Sequence, residues 1–304
     1  MAARAGEDES AINATYHILL SQAVSVRITK RRPDDKGQQR IGAFVCLLLV
    51  VYSQATAGVV ERGRGRGKEE NPAMESRIDE IADNIFRIAV WTDKAQITFN
   101  QFVIRDACPT LMHTGHASLF DTVRQEVERV LDPSTLRYIS FSHFEADECG
   151  ALNHWLALAP QAETLCGKIA ARTSVGDFAI RPPCIVADND TIELGTHRLQ
   201  MLETPHFPHN WDAVMLFESQ TGILFGSDLG THSGQREPLT DDDRSEEIIA
   251  LQQRLHYIPA GPHVPTTLAR LRQLPIRCLA TMHGSALRGP GISTLFAALE
   301  RACG

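Results

Sequence analysis

The sequence predicts an α/β fold over residues 74–304. Three features carry that prediction: short runs of strand-forming residues, stretches with apolar residues three or four apart, and glycines at hairpin turns, interleaved along the chain. With 304 residues, 43% of them hydrophobic, the chain has material for one large core or two small ones.

Residues 1–73 stand apart from this pattern. A basic stretch from Arg27 to Arg40 leads into an apolar run from Ile41 to Tyr52, and a Gly/Arg segment follows. The run is well short of the roughly 20 residues that cross a bilayer, so no integral membrane span is expected. Basic residues before it and Ala55-Thr56-Ala57 after it give the order of a secretory signal, with an unusually long lead. The simplest expectation is an atypical extension over 1–73, disordered or not translated, with the domain opening at Met74.

From Met74 onward, MESRIDEIADNIFRIAV reads as the first element. Asn84 to Trp91 and Gln96 to Ile104 are predicted strands across a polar turn. Ser118 to Leu131 has helical spacing and passes through Asp132-Pro133 into the strand LRYISFS. A second helix is predicted to begin around Asp147 to Gly150 and to run through ALNHWLALA. Thr191 to Thr204 and Ala213 to Asp228 read as hairpins, each with a Gly at its turn. Thr240 to Tyr257 opens with an acidic cluster and continues as a helix, and Ser293 to Ala302 closes the chain with another.

Composition removes some functions. A net charge of −7, with no basic face alternating with aromatics, argues against a nucleic-acid partner. Seven scattered cysteines without a C-x-x-C pair favour a reduced, cytoplasmic chain with neither a disulfide frame nor a thiolate metal site.

The informative segment is SHFEADECG, where His143, Glu145 and Asp147 stand at every second position after an apolar strand. On extended backbone such side chains project to one side. Taken alone, the segment is also a solvated acidic loop with a helix cap at Asp147 or Glu148. Three more strand ends offer similar groups: TPHFPHNWD with His206 and His209, ILFGSD ending in Asp228, and LATMHGS with His283. Imidazole and carboxylate without thiolate suit iron, zinc or manganese, and six such residues suffice for two ions. Phe144, Phe207 and Trp211 are candidates for a dry pocket beside them.

These residues resemble the metallo-β-lactamase superfamily over nearly all of 74–304, and within it the diiron domain of flavodiiron proteins. The superfamily's hydrolases carry His-x-His-x-Asp-His; this chain reads His143-x-Glu145-x-Asp147-Glu148. The flavodiiron pattern continues with a distant His, an Asp nineteen positions later and a last His, which selects His209 with Asp228 and leaves His206 as a core or supporting residue. HFEADECGALN, DTIELG, TPHFPHNWDA and LFGSDL are most similar to stand-alone oxygen-binding diiron proteins. The resemblance implies an αβ/βα four-layer sandwich with two mixed β-sheets. It implies His143, Glu145 and His209 on one iron, Asp147 and His283 on the other, and Asp228 as the bridge. Flavodiiron proteins have His where this chain has Glu148, which leaves Glu148 as a further ligand or as the cap of the helix starting there.

Charge supports iron independently of the resemblance. Glu145, Asp147 and Asp228 supply three negative charges, and hard anionic oxygen stabilises the more oxidised metal; a zinc hydrolase has no such need. The leading expectation is therefore a non-haem diiron protein that binds, and with a supply of electrons reduces, O2 or NO. The alternatives are a two-zinc hydrolase of an ester, thioester or lactone, and a non-enzymatic O2/NO sensor. No flavodoxin-like domain or flavin-cradling loop is visible in this chain, so turnover would need an external donor, a reduced flavoprotein or a rubredoxin-like protein. A homodimer is compatible with this reading.

Overall fold

The computed structural model describes residues 75–304; the expected extension 1–73 and the start at Met74 lie outside them. The chain opens with three antiparallel strands, β1 (Ser76–Ala82), β2 (Ile85–Thr92) and β3 (Ile97–Ile104), followed by β4 (Thr110–Met112). Next come α1 (Phe120–Val127), β5 (Tyr138–Ser140), α2 (Ala146–Cys149), α3 (Leu152–Leu158), β6 (Glu163–Cys166) and β7 (Cys184–Ile185). The first sheet has the order β1-β2-β3-β4-β5-β6-β7, antiparallel up to β4 and parallel beyond.

The second half repeats the plan. It holds β8 (Thr191–Glu193), β9 (Arg198–Glu203), β10 (Val214–Glu218), β11 (Ile223–Ser227) and β12 (Leu239–Thr240), then α4 (Ser245–Leu255) and α5 (His263–Leu271). Strands β13 (Cys278–Thr281) and β14 (Ala286–Arg288) and helix α6 (Gly291–Cys303) complete it. Its sheet runs β12-β14-β13-β11-β10-β9-β8, with β11 parallel to β13. Both sheets are mixed.

Three apolar clusters define the layers. Phe102, Met112 and Leu165 of the first sheet meet Met201, Leu216 and Phe225 of the second, so the sheets pack face to face. Val123 and Trp155 of the helices cover the other face of the first sheet, while Ile248, Leu268 and Leu295 cover the second. The result is the expected helix–sheet–sheet–helix sandwich. Burial on both faces explains why β2, β10 and β11 read as continuous apolar runs and not as alternating ones.

Several expected elements differ in detail. The helix expected through Asp147 and beyond is two helices, because the Ala151 N–H bonds the Gly115 carbonyl at 2.9 Å and leaves the helical ladder between α2 and α3. The helix expected from Thr240 begins at Ser245: Thr240 belongs to β12, and the Asp243 carboxylate accepts from the Ser245 N–H at 2.9 Å. Helix α5 lies in a stretch for which the sequence predicted no element; Pro262 precedes it and Pro265 sits in its first turn, where proline is tolerated. Among the described residues no helix is long and apolar enough to cross a membrane.

Candidate metal centre

The sandwich brings the ends of β5, β9, β11 and β13 together, and with them the loops that follow. The first sheet contributes His143, Glu145 and Asp147; the second contributes His209, Asp228 and His283. Two bonds stitch the halves: the Val214 N–H donates to the Ser142 carbonyl at 2.9 Å, and the Phe144 N–H to the Asp212 carboxylate at 3.0 Å.

One cluster forms around His143. Its Nε2 lies 2.9 Å from Glu145 Oε2 and 3.0 Å from His209 Nε2, and His209 Nε2 is 3.1 Å from the same Glu145 oxygen. A second cluster forms around His283, whose Nε2 lies 3.4 Å from Asp147 Oδ2. Asp228 stands between them. Its Oδ2 is 3.5 Å from His209 and 3.8 Å from His143, and its Oδ1 is 3.3 Å from His283. All six predicted residues therefore converge as two groups sharing one carboxylate. The His143 side chain is fully buried, whereas that of Glu145 is 51% exposed, so solvent reaches the cluster at Glu145.

Asp147 arrives by a different route from the one its spacing suggested. Glu145 is extended (φ −139°, ψ 157°), but Asp147 sits in the first turn of α2 and reaches inward from a helix. His206 departs from the core role expected of it: it is exposed, in a left-handed conformation (φ 68°), with its N–H on the Asn210 carbonyl at 2.7 Å. The turn buries Phe207 and directs His209, not His206, to the cluster. Glu148 makes no side-chain cap bond on its helix, and its carboxylate groups with His143 and Asp228. It is buried behind His143, and its carboxylate accepts from the Ser142 N–H at 3.0 Å and the Ser227 hydroxyl at 2.7 Å. Trp211, a candidate for a dry pocket, is 55% exposed. Phe99, which the sequence did not single out, packs edge-on to His283 at 5.2 Å between ring centres.

Other residues that the sequence reading passed over hold the His283 loop. Asn100 donates to the Thr281 and Gly284 carbonyls at 2.9 and 2.8 Å, and Arg87 to the Gly284 carbonyl at 2.8 Å. Their signal was present in the sequence: both are polar side chains inside otherwise apolar strands. Gly284 (φ 97°) passes directly over His232, whose ring would lie 2.4 Å from a Cβ at that position. Tyr257 lies edge-on to His209 at 6.5 Å, and among the described residues no hydrogen bond is formed by its buried hydroxyl.

Electrostatics show how tightly the charges are matched. Hydrogen bonds from His143 and His209 hold the Glu145 carboxyl at about 2. Burial opposes a charge on His143, but Glu148, Glu145 and Asp228 overcome it and lift the imidazole to about 10. Burial likewise opposes a charge on His283, and Asp147 and Asp228 lift it to about 10. Protons on these rings neutralise the carboxylates in the positions that cations would take.

The donor set suits two metal ions. His283 Nδ1 faces the Thr98 carbonyl at 2.8 Å, so the ring donates there, and an ion that displaced the Nε2 proton would find that nitrogen beside Asp147 and Asp228. The two Nε2 atoms of His143 and His209, 3.0 Å apart, need a shared proton or cation between them. Imidazole nitrogens and carboxylate oxygens without a cysteine sulfur are ligands for iron, zinc or manganese.

Known proteins are similar to this chain in sequence and in fold. A flavo-diiron protein, FprA2 of Clostridium acetobutylicum, is 25% identical over 231 residues, 70% of this chain and 58% of that protein. An anaerobic nitric oxide reductase flavorubredoxin of Aeromonas hydrophila is 25% identical over 205 residues, 63% of this chain and 40% of its own. The chain thus spans between about a third and three-fifths of the curated relatives it matches. In fold it is similar to rubredoxin oxygen:oxidoreductase from Desulfovibrio gigas, with a TM-score of 0.68 at 17% identity over 74% of this chain and 61% of that one. Residues 97–284, more than half the chain and the span holding all six clustered residues, match the family described as ODP family beta lactamase, and the chain belongs to that family.

Proposed function

We propose that residues 75–304 form a non-haem diiron module that binds O2 or NO and, given electrons, reduces it. The observation that carries this reading is Asp228 placed between two His/carboxylate groups, with one oxygen toward each. In this reading His143, Glu145 and His209 would hold one iron and Asp147 and His283 the other, with Asp228 shared between them. Such a pair of irons would supply electrons to a bound diatomic gas.

The protein's own residues do the rest. Glu145, Asp147 and Asp228 compensate the added charge of the oxidised metals, which favours iron over zinc. Phe99 covers one flank of the His283 group with apolar surface. The Tyr257 ring, edge-on to His209 at 6.5 Å, places a buried hydroxyl on that flank, unbonded among the described residues and able to donate to a ligand within its reach. Electrons would come from a reduced flavoprotein or a rubredoxin-like protein. The similarity to a nitric oxide reductase of Aeromonas and to a rubredoxin oxygen:oxidoreductase of Desulfovibrio supports both the diatomic substrates and a rubredoxin-like donor.

The test is to purify the protein without oxygen, count its metals, then admit O2 or NO and record the visible spectrum. Two irons per chain and a new charge-transfer band on one gas are the expected result. Two zinc ions, no spectral response and hydrolysis of a thioester or lactone would establish the hydrolase reading instead.

A further inference from the structure

Behind His143 lies a buried polar network that the six clustered residues do not use. Glu148 is fully buried with three groups around its carboxylate: the Ser142 N–H at 3.0 Å, His113 Nε2 at 3.1 Å and Ser227 Oγ at 2.7 Å. Ser227 Oγ also stands 3.3 Å from His143 Nδ1. A hydroxyl carries one proton, and the shortest of these contacts assigns it to Glu148. The other carboxylate within reach, Asp228, is more distant at 3.5 Å. With its proton committed, Ser227 Oγ can only accept from His143, so the imidazole nitrogen facing it must be the donor. Glu148 itself is 3.8 Å from Nδ1, too far for a direct bond, so the hydroxyl is the necessary link.

We propose that Glu148 and Ser227 are positioning residues that hold His143 with Nδ1 protonated, leaving its Nε2 lone pair for the ion beside Glu145 and His209. This inference rests on the two-ion reading above. Metal-bound histidines commonly give their second N–H to an oxygen acceptor, which fixes the tautomer and strengthens the ring as a donor. His283 does so through the Thr98 carbonyl. His143 has no such carbonyl, and the hydroxyl–carboxylate pair takes its place. A Gln at 148 has one acceptor oxygen where the carboxylate has two; with that oxygen on the Ser142 N–H, its NH2 faces Ser227 and turns the hydroxyl proton toward His143, which favours the opposite tautomer and puts a proton where the ion should bind.

The test uses the full chain loaded with zinc. Nitrogen-15 NMR on labelled histidine should show His143 protonated at Nδ1 and metal-bound at Nε2. Cobalt titration of Glu148→Gln and Ser227→Ala should show the His143-side ion bound roughly 10–100-fold more weakly, with the His283-side ion changed by less than about threefold. Ligation through Nδ1, or both variants binding within about twofold of the parent protein, would overturn the proposal. Should Glu148→Gln fail to fold, Ser227→Ala and the parent spectrum decide the question. A parent protein that binds no ion refutes the two-ion reading and this inference with it; two bound ions with unaffected variants refute this inference alone.

Discussion

His283 donates from Nδ1 to the backbone carbonyl of Thr98 at 2.8 Å, a bond that crosses from the second sheet to the first. The Gly284 N–H returns to the Thr98 hydroxyl at 3.0 Å, and the Asn100 N–H takes the Met282 carbonyl at 2.9 Å. The His283 loop is thus fixed less by its own strand than by β3 of the opposite sheet.

Asn100→Ala removes two of the bonds on that loop, to Thr281 and Gly284. The expected cost is about 1–3 kcal/mol, because buried carbonyls lose a donor. Affinity at the His283-side ion should fall roughly tenfold or more, as for other residues that orient a ligand. Denaturant unfolding and metal titration measure the two effects; a variant unchanged in both would show that the crossing bonds do not position His283.

His209→Ala should lose metal from the His143 group, while His206→Ala keeps it, because only His209 turns its ring toward Glu145. Metal content per chain after desalting decides between them, and the reverse outcome would overturn the choice of His209.

Gly284→Ala should destabilise the domain by about 2–4 kcal/mol, combining a left-handed backbone with overpacking. The neighbouring His232 ring cannot yield easily, being bonded to the Gly230 carbonyl at 2.9 Å and the Ser285 N–H at 2.9 Å. A thermal midpoint equal to that of the parent protein would mean the loop rearranges freely.

Asp106 supplies a pH dependence away from the metal centre. Burial opposes its charge, but three backbone N–H groups, of His197, Thr196 and Ala107, together with the His197 ring, hold its carboxyl at about 2. A folded value below the ordinary 3.8 means the stabilisation is complete above that pH and is lost as pH falls from there through about 2. Asp106→Asn should cost about 1–3 kcal/mol near neutrality. The stability difference between parent and variant should shrink from pH 4 toward pH 2; a constant difference would show that the charge is not what matters.

Much of the candidate centre is legible in the sequence because its His and carboxylate residues follow apolar strands, and parallel strand ends in α/β folds gather at one edge. Four separate segments offering His or carboxylate at such ends point to one site before any coordinates exist. The hairpin turns were legible for a local reason: Gly195 and Gly222 adopt positive φ at the predicted positions.

What the spacing does not carry is direction. His206 and His209 are three residues apart in one turn, and only the folded turn, with Phe207 drawn into the core, shows which ring faces inward. Glu148 reads as a surface cap because it follows Asp147 at a helix start; the side chain turns inward because Ser142 and Ser227, distant in sequence, supply its donors. Trp211 reads as a wall of the metal pocket, yet it stays 55% exposed and lines a small surface pocket with Lys168, Ile169 and Pro205.

The sequence by itself determined the α/β class, the two hairpins and the His and carboxylate side chains that stand at the strand ends, since these depend on local periodicity and residue chemistry. Only the tertiary structure decided how Asp228 is shared, how β3 clamps His283 and which way Glu148 points. Each of those depends on contacts between the two sheets, where hydrogen-bond partners lie far apart along the chain and no local pattern records them.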